Sequence, residues 1–272
     1  MLNAQLHLGL AQAVVEKEPI IVAEQKQKLY TVTEIFGCTM QGEGPVAGQL
    51  TVFVRLHFCD SSCSWCDTRY TWDHRHPDYN KTERLTAQEI VNQVTELYRG
   101  WDLGISKPTV TISGGNPAIQ LDQPLIDLFH LYGYSIQLET QGTVWKSCLS
   151  FCDKIVVSPK PPSSGMVDLT DEQLSHWTKQ GDKVAFKTVV FNDLDFEWAQ
   201  ELYVRLHLDN TMRGKSHAFY LQSGTDVVGD PVDAVVDCYG WLVEKWLESK
   251  TMPKAIILPQ LHVLVWGRAK GV

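Results

Sequence analysis

From about residue 30 onward, short runs of β-branched and apolar residues alternate with stretches whose apolar positions recur at helical spacing. Strands are predicted at Thr51–Phe58, Thr109–Ser113, Ser135–Glu139, Lys154–Ser158, Val184–Val190 and Ala218–Gln222, with Tyr30–Phe36 and Ala255–Leu258 flanking them. Helix starts are readable between them. Thr86-Ala-Gln-Glu89 has the form of a capping box and leads into Ile90, Val94, Leu97 and Tyr98 on one face. Thr170-Asp-Glu-Gln173 is a second box, ahead of Leu174 and Trp177, and Asp195–Leu206 and Pro231–Leu247 read as longer helices. Strands that alternate with helices and read as near-continuous apolar runs imply a parallel sheet covered on its faces. Six of them suit an α/β fold with a curved, partial (β/α)6-type barrel rather than a closed eight-stranded one. Residues 1–28, with Pro19 and the polar run Glu24–Lys28, read as an N-terminal extension ahead of one domain over 29–272.

The polar, Gly-rich and Cys-rich segments all follow strands: FCDSSCSWCDT, GGNP, ETQG and SPKPP. In parallel α/β barrels the loops after the strands' C-terminal ends build the active site. Composition narrows the partners. A formal net charge of −8 without a run of Lys or Arg argues against a phosphate-backbone binder, which would carry a basic stripe, so nucleic acid is not an expected partner. No apolar run approaches bilayer length, and no Lys or Arg precedes Lys17 to form the basic start of a secretory signal. Seven cysteines, three of them within eight residues, fit metal ligation in a reducing compartment, and the expected location is cytoplasmic.

Those three are Cys59, Cys63 and Cys66, spaced C-x3-C-x2-C. Three thiolates this close can hold one corner of an iron–sulfur cube and leave the fourth iron open. Structural zinc wants four ligands in paired knuckles, and a second C-x2-C pair is missing. His57 is a candidate fourth ligand, but alternation along the strand points it away from the face of Phe58. Cys38, Cys148, Cys152 and Cys238 read as buried structural cysteines, since Cys148-x3-Cys152 lacks a third partner. Strand parity places Arg55 on the same face as His57 and Cys59. A guanidinium there needs an anion, either a protein carboxylate such as Glu139 or a ligand's.

The C-x3-C-x2-C motif, with Trp65 before its last cysteine, resembles the signature of the radical S-adenosylmethionine (SAM) superfamily. The resemblance implies a [4Fe–4S] cluster whose open iron chelates SAM, and a 5′-deoxyadenosyl radical that abstracts a substrate hydrogen. It also implies Trp65 near the SAM adenine and Ser113-Gly114-Gly115-Asn116-Pro117 as the SAM-binding glycine motif, with Asn116 where the superfamily usually has Glu. Met40-Gln41-Gly42-Glu43-Gly44-Pro45, Val52–Arg55, Cys66-Asp67-Thr68, Glu139-Thr140-Gln141-Gly142, Ser158-Pro159-Lys160-Pro161-Pro162 and the ending LPQLHVLVWG together resemble the 7-carboxy-7-deazaguanine synthase family.

That second resemblance covers residues 30–272. It implies a radical carbon–nitrogen lyase of the queuosine and 7-deazapurine pathway, acting on 6-carboxy-5,6,7,8-tetrahydropterin with loss of ammonia. Met40, Gln41, Gly42, Glu43, Arg55, Ser113, Glu139 and His262 would contact the pterin. Trp65, Gly115, Asn116, Ser158, Pro159, Lys160 and Gln222 would contact SAM, and Thr68 would offer its hydroxyl to Mg2+. A flavodoxin- or ferredoxin-like electron donor and a homodimer complete the expectation. A glycyl-radical activating enzyme and a non-enzymatic iron–sulfur or zinc protein are the alternatives, and neither explains QGEGP, CDT and SPKPP together.

Overall fold

The computed structural model describes residues 27–101, 109–211, 217–224, 231–267, 269 and 271. Residues 1–26 of the expected extension lie outside the described residues. Nine strands are present among the described residues: β1 (Tyr30–Met40), β2 (Leu50–Leu56), β3 (Glu83–Leu85), β4 (Thr109–Gly114), β5 (Ser135–Thr140), β6 (Lys154–Val157), β7 (Val184–Val190), β8 (Ala218–Ser223) and β9 (Ala255–Leu258). The helices are α1 (Ala87–Leu97), α2 (Gln123–Leu131), α3 (Asp171–Thr178), α4 (Asp193–Thr211), α5 (Pro231–Ser249) and α6 (Leu261–Trp266). None of them is long and apolar enough to cross a membrane.

The α/β class is as expected. All nine strands form one sheet in the order β3-β1-β2-β4-β5-β6-β7-β8-β9. From β2 onward every neighbouring pair in that order is parallel, and Tyr30–Met40 and Ala255–Leu258 flank the six expected strands, the latter as a further parallel strand through pairs such as Phe219↔Ala255. β1 runs antiparallel to β2 and β3 because the short link between β1 and β2 has no room for a crossover helix. Both capping boxes form: Thr86 accepts from the Glu89 amide and Thr170 from the Gln173 amide, each with the reciprocal bond. α2, whose start is capped by Asp122 accepting from the Leu125 amide, and the three-residue β3 were not anticipated.

The strands are not continuous apolar runs but alternate. Val52, Val54, Leu56, Val110, Ile112, Ile136, Leu138, Ile155, Val157, Phe186 and Leu221 pack against Ile90, Val94, Leu125, Phe129, Phe196 and Leu202 of the helices. Each such side chain contributes roughly 1.5–3 kcal/mol on full burial, so this layer holds the sheet to its helices. The other face presents Arg55, Thr111, Gln137, Glu139, Lys187 and Gln222. That face is concave. Gly42 lies two residues beyond β1 and Leu261 three beyond β9, yet the Leu261 amide donates to Gly42 O at 3.2 Å. In a flat sheet β1 and β9, seven strand spacings apart, would stand about 34 Å from each other at the usual ~4.8 Å spacing. The sheet therefore curls until its two ends approach, giving an incomplete barrel with a polar interior.

Candidate active site

The cysteine loop begins where β2 stops. Leu56 ends the strand and Phe58 takes a left-handed backbone (φ 76°), so the regular parity expected to carry His57 and Cys59 onto the Arg55 face is broken. His57 turns instead to Thr33, with Nδ1 3.1 Å from Oγ1, and to the Tyr79 ring, 4.7 Å away between centroids. Burial and the neighbouring His74 push its pKa down. The end of β4 then closes against this turn: the Gly115 amide donates to Leu56 O and the Asn116 amide to Phe58 O. A Cβ on Gly114 would lie 1.9 Å from Leu56 O, and one on Gly115 2.2 Å from Phe58 O and 2.8 Å from Cys59 Cβ. The two glycines are required by the close approach of these loops.

Side chains from three further strand ends hold the loop. Asp60 accepts from Gln141 Nε2 at 2.5 Å, Asn116 Nδ2 at 2.9 Å and Thr143 Oγ1 at 2.6 Å. Ser64 donates from its amide to Ser164 O and from its hydroxyl to Ser163 O. Trp65 Nε1 donates to Ser163 Oγ at 3.0 Å, and its ring sits 4.8 Å from that of Phe191. Ser163 is itself fixed by the fully buried Asp195, through both amide and hydroxyl. The loops after β2, β4, β5 and β6 thus meet around Cys59–Cys66, as the barrel rule requires.

Asn116 has a different placement from the one its motif suggested. It is fully buried, and its carbonyl oxygen accepts from Thr140 Oγ1 at 2.8 Å and the Ala118 amide at 3.3 Å. Its side chain ties three loops together. Lys160 Nζ lies 5.8 Å from the Trp65 ring centre and 3.5 Å from Ser158 Oγ, whose own amide bonds Thr140 O; Pro159 between them is buried. Thr68 opens a single helical turn, its Oγ1 3.5 Å from Cys66 Sγ.

The donor set fits an iron–sulfur cube. Gln141 Nε2 reaches Cys59 Sγ at 3.6 Å and Trp72 Nε1 reaches Cys66 Sγ at 3.3 Å. Such contacts suit sulfurs that carry ligand charge. Burial pushes the metal-free Cys59 thiol up to about 11, and raises Cys63 against the pull of Lys160, so a cationic centre would be needed to keep these groups as thiolates. Among the described residues no three His, Cys, Asp or Glu side chains converge on a single ion. A cube would not ask them to, because each thiolate would hold a separate iron.

Below the rim lies the polar interior. The backbone turn after β1 carries Gln41 and Glu43 into it. Gln41 Nε2 donates to Glu139 Oε1 at 3.0 Å, Gln260 Nε2 donates to Glu43 Oε1 at 3.0 Å, and Lys187 Nζ forms an ion pair with Glu43 Oε2. A Cβ on Gly42 would strike the His262 ring, so that glycine lets α6 close over the turn. Burial alone would raise the Glu43 pKa. The Lys187 ammonium, the nearby His262 and bonds from Lys187 and Gln260 outweigh it and hold the carboxyl at about 2. Arg55 faces the same interior, but its anion is Glu34, at 2.5 Å, not Glu139. Ser113 pairs with Arg55 across β2 and β4, and Met40 with Leu50 at the end of β1. Gln222 is buried with neither amide atom hydrogen-bonded, an orphan whose chemistry asks for a ligand.

The structure therefore gathers most of the expected residues into two adjoining groups, while Met40, Ser113 and Gln222 are placed on their strands without a bond to either. Glu34, Asp60, Gln137, Lys187 and Asp195 belong to them and were not anticipated. A lone charge within the apolar runs YTVTEIFG and VAFKTVV was the available signal for Glu34 and Lys187.

An incomplete parallel α/β barrel with a three-cysteine loop at its C-terminal rim is an enzyme fold of the radical SAM class. No protein-family model matches the sequence. The chain is 38% identical over 253 residues to 7-carboxy-7-deazaguanine synthase from Bacillus cereus, a match spanning 89% of this chain and 98% of that protein. It is 40% identical over 255 residues to the Bacillus subtilis synthase, with the same coverage. The crystal structure of QueE from Escherichia coli superimposes with a TM-score of 0.60 and 25% identity, over 85% of this chain and 94% of that one. The chain belongs to the 7-carboxy-7-deazaguanine synthase family. The glycyl-radical-activating and non-enzymatic alternatives are not favoured.

Proposed function

We propose that the protein is a radical SAM carbon–nitrogen lyase that converts 6-carboxy-5,6,7,8-tetrahydropterin to 7-carboxy-7-deazaguanine with loss of ammonia. The observation that carries this is the stacking of two groups at one end of the barrel. A three-thiolate loop lies on the rim, directly followed by a polar interior of Gln41, Glu43, Glu139, Lys187 and Gln260. When bound, the [4Fe–4S] cluster and SAM supply the radical that removes a substrate hydrogen. Cys59, Cys63 and Cys66 hold the cluster. Trp65, Gly115, Asn116, Ser158, Pro159, Lys160 and Gln222 form the SAM side, with Asn116 acting through the loops it ties and Gln222 offering its free amide. Met40, Gln41, Gly42, Glu43, Ser113, Glu139 and His262 form the pterin side.

Arg55 exchanges Glu34 for the substrate carboxylate, a planar pairing that a guanidinium makes with two parallel bonds. The Thr68 hydroxyl would offer an oxygen ligand to Mg2+, a cation that takes oxygen donors. A flavodoxin- or ferredoxin-like protein supplies the electron, and the enzyme works as a cytoplasmic homodimer. Anaerobic reconstitution with iron and sulfide, then incubation with SAM, reductant, Mg2+ and the carboxypterin, tests this. The expected product is 7-carboxy-7-deazaguanine with stoichiometric ammonia. SAM cleavage that leaves the carboxypterin unconsumed would refute the assignment.

A further inference from the structure

Lys187 is the one charged residue of β7, and it points into the barrel. Its neighbours Phe186 and Thr188 are fully buried on the helix side, while the Lys187 side chain is 9% exposed on the concave face. A cation in such a place needs anions. It has Glu43, which it touches, and Glu139, whose charge also supports it, with a smaller contribution from Asp67. The two carboxylates are not equivalent. Glu43 is taken up by Lys187 and Gln260. Glu139 receives Gln41 at 3.0 Å and Gln137 at 3.3 Å, both on Oε1, and among the described residues no hydrogen bond reaches its Oε2. One acceptor, Glu139 Oε2, is left open beside one ammonium.

A 2-amino-4-oxo pyrimidine ring presents the complementary edge. Its amino group and ring N–H are two donors side by side, and its 4-oxo oxygen is an acceptor next to them. We propose that Lys187 is the specificity-determining residue of the ring subsite: its ammonium donates to the 4-oxo oxygen while an adjacent carboxylate accepts from the amino and ring N–H. This deepens, and rests on, the pterin-binding role given to the site above. The same edge persists in a deazaguanine product, so the subsite holds the ring before and after the reaction and discriminates by ring edge, not by the bond that changes. In the unliganded protein the Lys187–Glu43 pair keeps the ammonium positioned, and binding does not require a new charge to be buried.

Two stable probes separate the possibilities in the reconstituted enzyme without reductant: 6-carboxypterin, and its 4-thioxo analogue, which keeps the 2-amino group and the ring N–H but puts a weakly accepting sulfur opposite the ammonium. Calorimetric titration of the wild type should favour the 4-oxo probe by roughly tenfold or more, because the ammonium loses its strong oxygen acceptor while both donors to the carboxylate are unchanged. Lys187→Gln, whose neutral amide gives up the charge-assisted bond to the 4-substituent, should bring the two probes within about twofold of each other. Lys187→Arg should keep the preference. Iron content and SAM affinity should match wild type in both variants. A wild type that binds both probes without preference, or a Lys187→Gln that retains the tenfold preference, overturns the proposal while leaving pterin binding intact. A wild type that binds neither probe removes the pterin role itself, and this inference with it. If Lys187→Gln does not fold, the wild-type preference and its retention in Lys187→Arg still decide: loss of either overturns it.

Discussion

The rim and the interior of the barrel do adjoining jobs by different means. The rim is made of continuous segments, 58–66, 113–117, 139–143 and 158–166, whose members bond one another by many short polar contacts: Asp60 alone takes three donors. The interior is made of single residues from separate strands, with Gln41 after β1, Glu139 on β5, Lys187 on β7 and Gln260 after β9. A rim built this way is rigid around the cysteines and tolerates little. An interior built from separate side chains can change its partners when a ligand enters. The difference teaches where damage should be all-or-none and where it should be graded.

Rim substitutions should give the largest effects. Cys59→Ala, Cys63→Ala or Cys66→Ala should each abolish SAM cleavage and deplete iron, read by metal analysis and 5′-deoxyadenosine release. The fold should survive, since the sheet is held by the helix-side core. In the interior, Arg55→Lys keeps the charge but loses the planar fork and should raise the Michaelis constant for the carboxypterin about tenfold, roughly 1.4 kcal/mol of binding. Wild-type affinity there would return Arg55 to its structural pair with Glu34. Asn116→Ala removes a fully buried amide that serves Asp60, Thr143 and Thr140, and should destabilise the protein by about 1–3 kcal/mol in thermal unfolding.

Smaller effects probe the interior pair. Because Glu43 is held at about 2, below its ordinary 4.5, its contribution to stability is present above pH 4.5 and is lost as pH falls toward 2. Glu43→Gln should therefore flatten the fall of the unfolding midpoint across that window. An unchanged slope would mean that Lys187 does not hold the carboxylate in solution. The smallest effect is expected at the rim's edge, where Thr68→Ala should weaken Mg2+ stimulation but leave SAM cleavage without substrate intact. Parallel loss of both would assign Thr68 to its contact with Cys66.

The same contrast explains what was legible in the sequence. The cysteine motif, both capping boxes at Thr86 and Thr170, and the strand runs are local patterns, and each was found where its residues predicted. Three-residue β3 was too short to show a period. The alternation TVTISG, SIQLET and VAFKTVV carried the polar face, yet averaging over each run hid it. Lys187 and Glu34 could be noticed as isolated charges, but their partners are set by the curl of the sheet, a long-range property that no short window contains. The Arg55–His57–Cys59 parity failed for a local reason of another kind, because the left-handed turn at Phe58 has no glycine to announce it. Asn116 occupies the expected motif, but its neighbours come from three different loops.

The central claim is that rim and interior form one site, with the substrate ring held beneath the cluster loop. Hydrogen transfer measures that directly. Carboxypterin deuterated on its reduced ring carbons should be turned over anaerobically with SAM and reductant, and the 5′-deoxyadenosine examined by mass spectrometry. The account predicts deuterium in 5′-deoxyadenosine alongside 7-carboxy-7-deazaguanine, and loss of both in Cys63→Ala. Unlabelled 5′-deoxyadenosine formed at the same rate with and without the carboxypterin would contradict it.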